Sequence, residues 1–126
     1  MNRQMYFRSI SLLCLLALMS CKEKHSLPDP LAAGWEGQPV CEVLEDGPKL
    51  RVLRCTFPPG VGHERHYHDP HFGYTLAGST FRMTDTTGTR EVMVPTGYSF
   101  SNKGIDWHEV LNIGDSVAVF LIIEPK

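Results

Sequence analysis

GHERHYHDPHFGYTLAG, residues Gly62 to Gly78, places four of the chain's six histidines (His63, His66, His68 and His71) within nine residues and then enters an apolar, strand-like run. His66 and His68 are two apart. In an extended chain positions i and i+2 share a face, so one strand can aim both imidazoles to the same side. Two inward imidazoles are half of a metal site. The third donor has to come from elsewhere in the sheet, and His108, in the strand-like WHEVL at 107–111, is the candidate. Three neutral imidazoles suit a divalent transition metal (iron, zinc, nickel or manganese). Three protein donors leave an open position, which makes a reactive site rather than a closed structural one.

Outward from this stretch the chain reads as short β-favouring runs: VCEVLE (40–45), LRVLRCTF (50–57), FGYTLA (72–77), STFRMT (79–84), REVMV (90–94), YSFS (98–101), WHEVL (107–111) and SVAVFLII (116–123). Gly, Pro, Asn and Asp punctuate them in DGP, PPG, AG, DTTG, PTG, NKG and NIGD. Eight short strands with tight turns and no helical period after Pro39 mean an all-β fold, a small antiparallel sandwich or barrel. A small barrel can hold one ligand. Phe72, Tyr74, Phe81, Phe100 and Trp107 are first of all core residues. Of these Tyr74, Phe81, Phe100 and Trp107 are the candidates to line a pocket, Tyr74 being the polar one on the strand that leaves the histidine motif.

Among the remaining polar residues, His63 reads as a loop residue after Pro59-Gly60 and His25 as part of a tether. Glu64 reads as solvated, or as a carboxylate that orients a metal-bound imidazole. Lys103 and Asp106 flank the approach to His108. Beyond the expected ligands, only His71, Tyr67 and Glu64 offer themselves as proton carriers.

The first twenty residues, MNRQMYFRSISLLCLLALMS, are of another kind. Arg3 and Arg8 precede an apolar stretch from Ile10 to Met19, with no acid in the segment. That stretch is shorter than the roughly 20 residues a bilayer span needs and has the form of a secretory signal. It ends in Leu18-Met19-Ser20-Cys21, which resembles the bacterial lipobox. The resemblance implies export and lipidation of Cys21, a periplasmic or cell-envelope lipoprotein that touches the membrane only through its lipid. Residues 21–39, rich in Pro, Gly and Ala, read as tether and loosely packed arm, with Trp35 covering part of the barrel or of a partner subunit. In an oxidising compartment Cys41 and Cys55, which flank the turn EDGPK, are either bridged or two buried thiols. The formal charge of -2, with basic residues scattered singly, excludes nucleic acid as a partner. A core of this size is modest, and a homodimer formed by sheet packing or edge pairing is a natural supplement.

At residues 40–126 the sequence resembles the cupins. Their first motif is Gly, five residues, His-x-His, three or four residues, Glu, six residues, Gly. Here Gly60 is followed by five residues and then His66-Tyr67-His68, and Gly78 closes the motif, with His71 in the glutamate slot after a gap of two residues in place of three or four. The second motif is Gly, five residues, Pro-x-Gly, two residues, His, three residues, Asn. Here Gly88, Pro95-Thr96-Gly97, His108 and Asn112 follow that order, with six residues in place of five after Gly88 and ten in place of two before His108. The chain is most similar to small single-domain bacterial cupins, some of which carry the name beta-alanine degradation protein.

The resemblance implies a jelly-roll barrel, or double-stranded β-helix, with metal ligands at His66, His68 and His108 and His71 as a fourth. A three-histidine set resembles that of the iron-binding thiol dioxygenases, which implies a metal-dependent, dioxygenase-like enzyme acting on a small molecule. The alternative is a barrel that binds a metal or a small solute without turnover.

Overall fold

The computed structural model describes residues 25–126. The expected signal peptide over 1–20 and the expected lipidation site Cys21 lie outside the described residues. β1 (Gly34–Trp35) and β2 (Gln38–Pro39) form a hairpin in the arm. There follow β3 (Cys41–Asp46), β4 (Leu50–Phe57), β5 (Gly62–His68), β6 (His71–Ala77), β7 (Ser79–Asp85), β8 (Gly88–Val94), β9 (Ser99–Asn102), β10 (Ile105–Asn112) and β11 (Ala118–Pro125). All eight runs expected from sequence are present, each end within two residues. The additions are β1, β2 and β5. β5 carries the histidine motif and has no β-branched residue, so propensity does not mark it; it is a strand because its alternate side chains fill a buried face.

Two antiparallel sheets face each other, one in the order β5-β10-β7-β8 and the other β3-β4-β11-β6-β9. Alternation sorts their side chains. On β4, Leu53, Cys55 and Phe57 are buried and Arg54 is exposed. On β6, His71, Gly73 and Thr75 point in, and Phe72, Tyr74 and Leu76 point out. Phe57, Phe81 and Phe120 meet edge to face between the sheets, with ring centroids 5.6–5.9 Å apart. Gly73 lies opposite Phe100 in the β6–β9 pairing, and the ring occupies the space a Cβ would need. Cys41 and Cys55 are directly paired across β3 and β4 and joined by a disulfide.

The arm packs against the barrel more closely than its composition indicates. Pro30 is wholly buried and Ala33 nearly so. Arg51 binds the arm and the last strand together, with Nη2 donating to Asp29 (2.8 Å) and Nε to Glu124 (2.6 Å). Trp35 lies over β5 of its own chain, so close to Gly62 that a Cβ there would meet the indole.

Asn112 ties the opposite end of the barrel. It is wholly buried, and its Nδ2 donates to the carbonyls of Phe57 and Ser116, both at 2.8 Å. Its Oδ1 accepts from Ser79 Oγ (2.8 Å) and Gly114 N (3.0 Å). Every capacity of the amide is used, so truncation strands four partners. Asn112→Ala is expected to cost about 2–4 kcal/mol, read as a fall in the urea midpoint at unchanged m-value.

Candidate metal centre

β5 and β10 are antiparallel neighbours, and His66 is the register partner of His108. His68, two residues along, shares the inward face with His66. The three rings therefore converge from two adjacent strands of one sheet. Their Nε2 atoms form a near-equilateral triangle: 2.9 Å from His66 to His68, 3.0 Å from His68 to His108 and 3.0 Å from His108 to His66. His66 and His68 are buried and His108 is partly buried.

The chemistry of this triangle is that of a cation site. His66 Nδ1 donates to the Glu64 carbonyl at 2.6 Å, and since a carbonyl only accepts, the neutral ring has its proton on Nδ1. Its Nε2 is then a bare lone pair, and no set of three neutral rings can satisfy all three Nε2 contacts. A shared cation relieves that crowding, and the donors fit one. Glu64 thus orients a ligand through its backbone oxygen, while its carboxylate accepts from Glu36 N at 3.2 Å. The Nδ1 of His68 is buried without a protein partner.

Electrostatics keep the rings in the form a metal needs. Burial pushes the His66 imidazole below its ordinary range, and burial with neighbouring imidazoles pushes His108 to about 3 and His68 lower still.

His63 corrects the sequence reading. It is on β5 rather than in a loop, and only 3% exposed. Its Nε2–H donates to the arm carbonyls of Pro30 (3.0 Å) and Ala33 (3.3 Å), and burial lowers its pKa to about 3. Its ring lies 3.8 Å, centroid to centroid, from that of His66. The arm therefore holds His63, and His63 backs a ligand.

His71 is not brought into the triangle; the three-residue cluster is His66, His68 and His108. The chain changes sheets at Asp69-Pro70, and His71 starts β6 in the opposite sheet with Nδ1 donating to the Asp69 carbonyl at 2.8 Å. Its ring stands 4.5 Å from that of His68.

A cavity of about 370 Å³ opens on the triangle. Phe81 and Phe100 line it, as do Phe57, Phe120, Val92 and Ile105. Tyr74 and Trp107 do not, and alternation gives the reason: each is one residue from an inward position. Trp107 instead carries the Arg65 guanidinium, 3.9 Å above its ring, outside the barrel. Tyr67 also faces outward, stacked on His25 at 3.8 Å, so it is no proton carrier for the cluster. Lys103 and Asp106 are exposed on either side of the step from β9 to β10, next to cavity-lining Ile105. Phe57, Phe120 and Arg90 line the cavity without having been singled out by sequence. The inward parity of their strands was the signal available for them.

No family model matches this sequence, and no curated protein matches it. Solved structures do match the architecture. A cupin domain from Bordetella pertussis superposes with a TM-score of 0.65 at 24% identity, over 69% of this chain and 92% of that one. The polyketide cyclase RemF from Streptomyces resistomycificus gives 0.56 at 18%, over 68% and 63%. The Bacillus halodurans protein BH2720 gives 0.52 at 18%, over 69% and 70%. The fold is the cupin jelly roll. Within it the ten residues between Gly97 and His108 find their use: they hold β9, which pairs with β6 before the chain crosses to β10.

Two outcomes follow from this geometry. His63→Leu keeps all three ligands but unties His66 from the arm, and metal affinity is expected to fall about 10-fold or more, measured by competition with a chromophoric chelator. In the metal-free protein the unfolded chain takes up protons below pH 6.5 at rings that stay neutral in the fold. Stability is therefore greatest above 6.5 and falls as pH drops toward 3, by up to about 1.4 kcal/mol per pH unit for each ring. Urea unfolding across pH 7 to 4 measures the slope, and a flat profile contradicts the burial.

Proposed function

We propose that this protein is an exported, envelope-anchored cupin barrel that uses a transition metal on His66, His68 and His108 to transform a small molecule in its apolar cavity. The observation that carries the reading is the Nε2 triangle with edges of 2.9–3.0 Å. At metal–nitrogen bonds of about 2.0–2.1 Å, donors so spaced subtend about 90–100° at one ion, whereas a tetrahedral angle spreads them to about 3.3–3.4 Å. Donors with this spacing suit three neighbouring corners of an octahedron. That favours iron, manganese or nickel over closed tetrahedral zinc.

A metal bound there would supply Lewis-acid or redox activation of small ligands. The chain supplies the rest. Burial keeps the imidazoles unprotonated, the Glu64 carbonyl and His63 fix the His66 ring, and the aromatic wall excludes water. Among the described residues no carboxylate lines the cavity, which suits redox chemistry better than hydrolysis through an acidic base. Oxygenation is the first reaction to test. Export is supported by the Cys41–Cys55 disulfide, a bond suited to an oxidising compartment.

Protein made without a histidine tag is expected to hold one metal ion per chain by elemental analysis, and His66→Ala or His108→Ala less than a tenth of that. Cobalt substitution is expected to give the weak visible bands of a six-coordinate ion. Full metal content in His108→Ala would falsify the assignment, and the intense bands of four-coordinate cobalt would overturn the octahedral reading.

A further inference from the structure

On β8, Arg90, Val92 and Val94 line the cavity, while Met93 faces out and is 77% exposed. Arg90 stands at the rim of the cavity, its side chain 47% exposed, so its guanidinium meets both solvent and the apolar lining. Its protein partner there is Asp85, whose carboxylate pairs with Arg90 Nη2 at 2.9 Å. Asp85 is already served by the turn, accepting from Thr87 N (2.8 Å) and Thr87 Oγ1 (2.6 Å). Arg90 is served less fully. Beyond Asp85 its one further contact is Nη1 to Thr87 Oγ1 at 3.5 Å, so most of its five N–H donors face solvent and are open to an incoming anion. Apart from the histidines it is the one ionisable cation among the described lining residues.

Its place relative to the triangle follows from register. His108 pairs with Asp85, and Val110 pairs with Met83, which pairs with Arg90. Arg90 thus sits two strands from β10, about 10 Å across the sheet, with Met83 and Val110 in its own row between. A ligand that reaches both ends meets nitrogen donors at one, a guanidinium at the other and hydrocarbon along its length. The cavity volume equals roughly a dozen waters at about 30 Å³ each, room for one aromatic ring with a short side chain.

We infer that the cavity takes a small, ring-sized apolar acid whose carboxylate is held by Arg90 and whose oxygen donors lie at the three-histidine end. The second half rests on the metal reading above; the Arg90 half does not.

The test uses the nickel-loaded protein and calorimetric titration with 3,4-dihydroxyphenylacetate, a ring with two adjacent oxygen donors and a carboxylate on its far side. The neutral, isosteric 3,4-dihydroxyphenylacetamide is the control. The acid is expected to bind at least 10-fold tighter than the amide. Arg90→Gln is expected to shrink that preference below 2-fold with nickel content unchanged, and Arg90→Lys to keep part of it. Acid and amide behaving alike in the wild type, including no binding of either, overturns the inference. So does an Arg90→Gln protein that melts lower yet keeps the preference, since Arg90 then only braces the hairpin. If nickel is not retained, the metal reading has failed, and the metal-free protein is titrated with phenylacetate and phenylacetamide instead. Preference for the acid that is lost in Arg90→Gln then upholds the Arg90 half, and no preference overturns it.

Discussion

The arrangement of this molecule depends on one constraint, the register of β5 against β10 that sets His66 opposite His108. A shift of β5 by one residue would turn its inward row outward and leave His66 and His68 on the face opposite His108. Holding the register has a cost. Three unprotonated rings are taken out of water and pressed together, with one ring's free nitrogen already committed as a lone pair by the Glu64 carbonyl. Hydrocarbon at those positions would serve stability better. The triangle is a place where the fold gives up stability to bring three imidazoles together, and the rest of the structure compensates for it.

The compensation is visible in what surrounds the triangle. His63, the neighbour of His66, is itself held by two arm carbonyls, and the arm is held by Arg51 through Asp29 and the nearly buried Glu124. The arm, the barrel's last strand and a ligand ring are thus linked by a short chain of directional bonds. Away from the site, the Cys41–Cys55 disulfide secures edge strand β3, and Asn112 joins the ends of β4 and β10 to the loop before β11. A core of about one hundred residues has little apolar surplus, which is why polar ties of this kind recur.

Much of this was legible in the chain. Turn residues and β-favouring runs located eight strands, and the two-residue spacing of His66 and His68 located half of the cluster. The errors share one physical origin. Tyr74 and Trp107 are aromatic and near the motif, but alternation from inward His71 and His108 sends each to the outer face. Applying the strand period to every residue, as it was applied to His66 and His68, removes both and admits Phe57, Phe120 and Arg90. His63 and the arm were harder to read, because the partner that fixes each is the other, some thirty residues away. His71 was ambiguous for a different reason: only the crossing at Asp69-Pro70 decides which sheet it joins, and local sequence does not encode that.

That crossing also explains why metal donors and binding wall are separable. The triangle is built by β5 and β10 of one sheet. The opposite sheet supplies His71, Phe57, Phe100 and Phe120 to the cavity, and β8, at the edge of the first, adds Arg90. Residues that would hold an ion need close mutual placement, and the three histidines get it from the pairing of edge strand β5 with β10. Residues that choose the ligand need only shape and charge; several sit on β8 and β9, edge strands distinct from the edge strand β5 that carries His66 and His68. In this arrangement β8 and β9 can be altered while β5 and β10 stay as they are. On the metal-site reading proposed above, a fold built this way changes what it binds without changing how it holds a metal, so the ligand is better read from Arg90 and the aromatic wall than from the histidines.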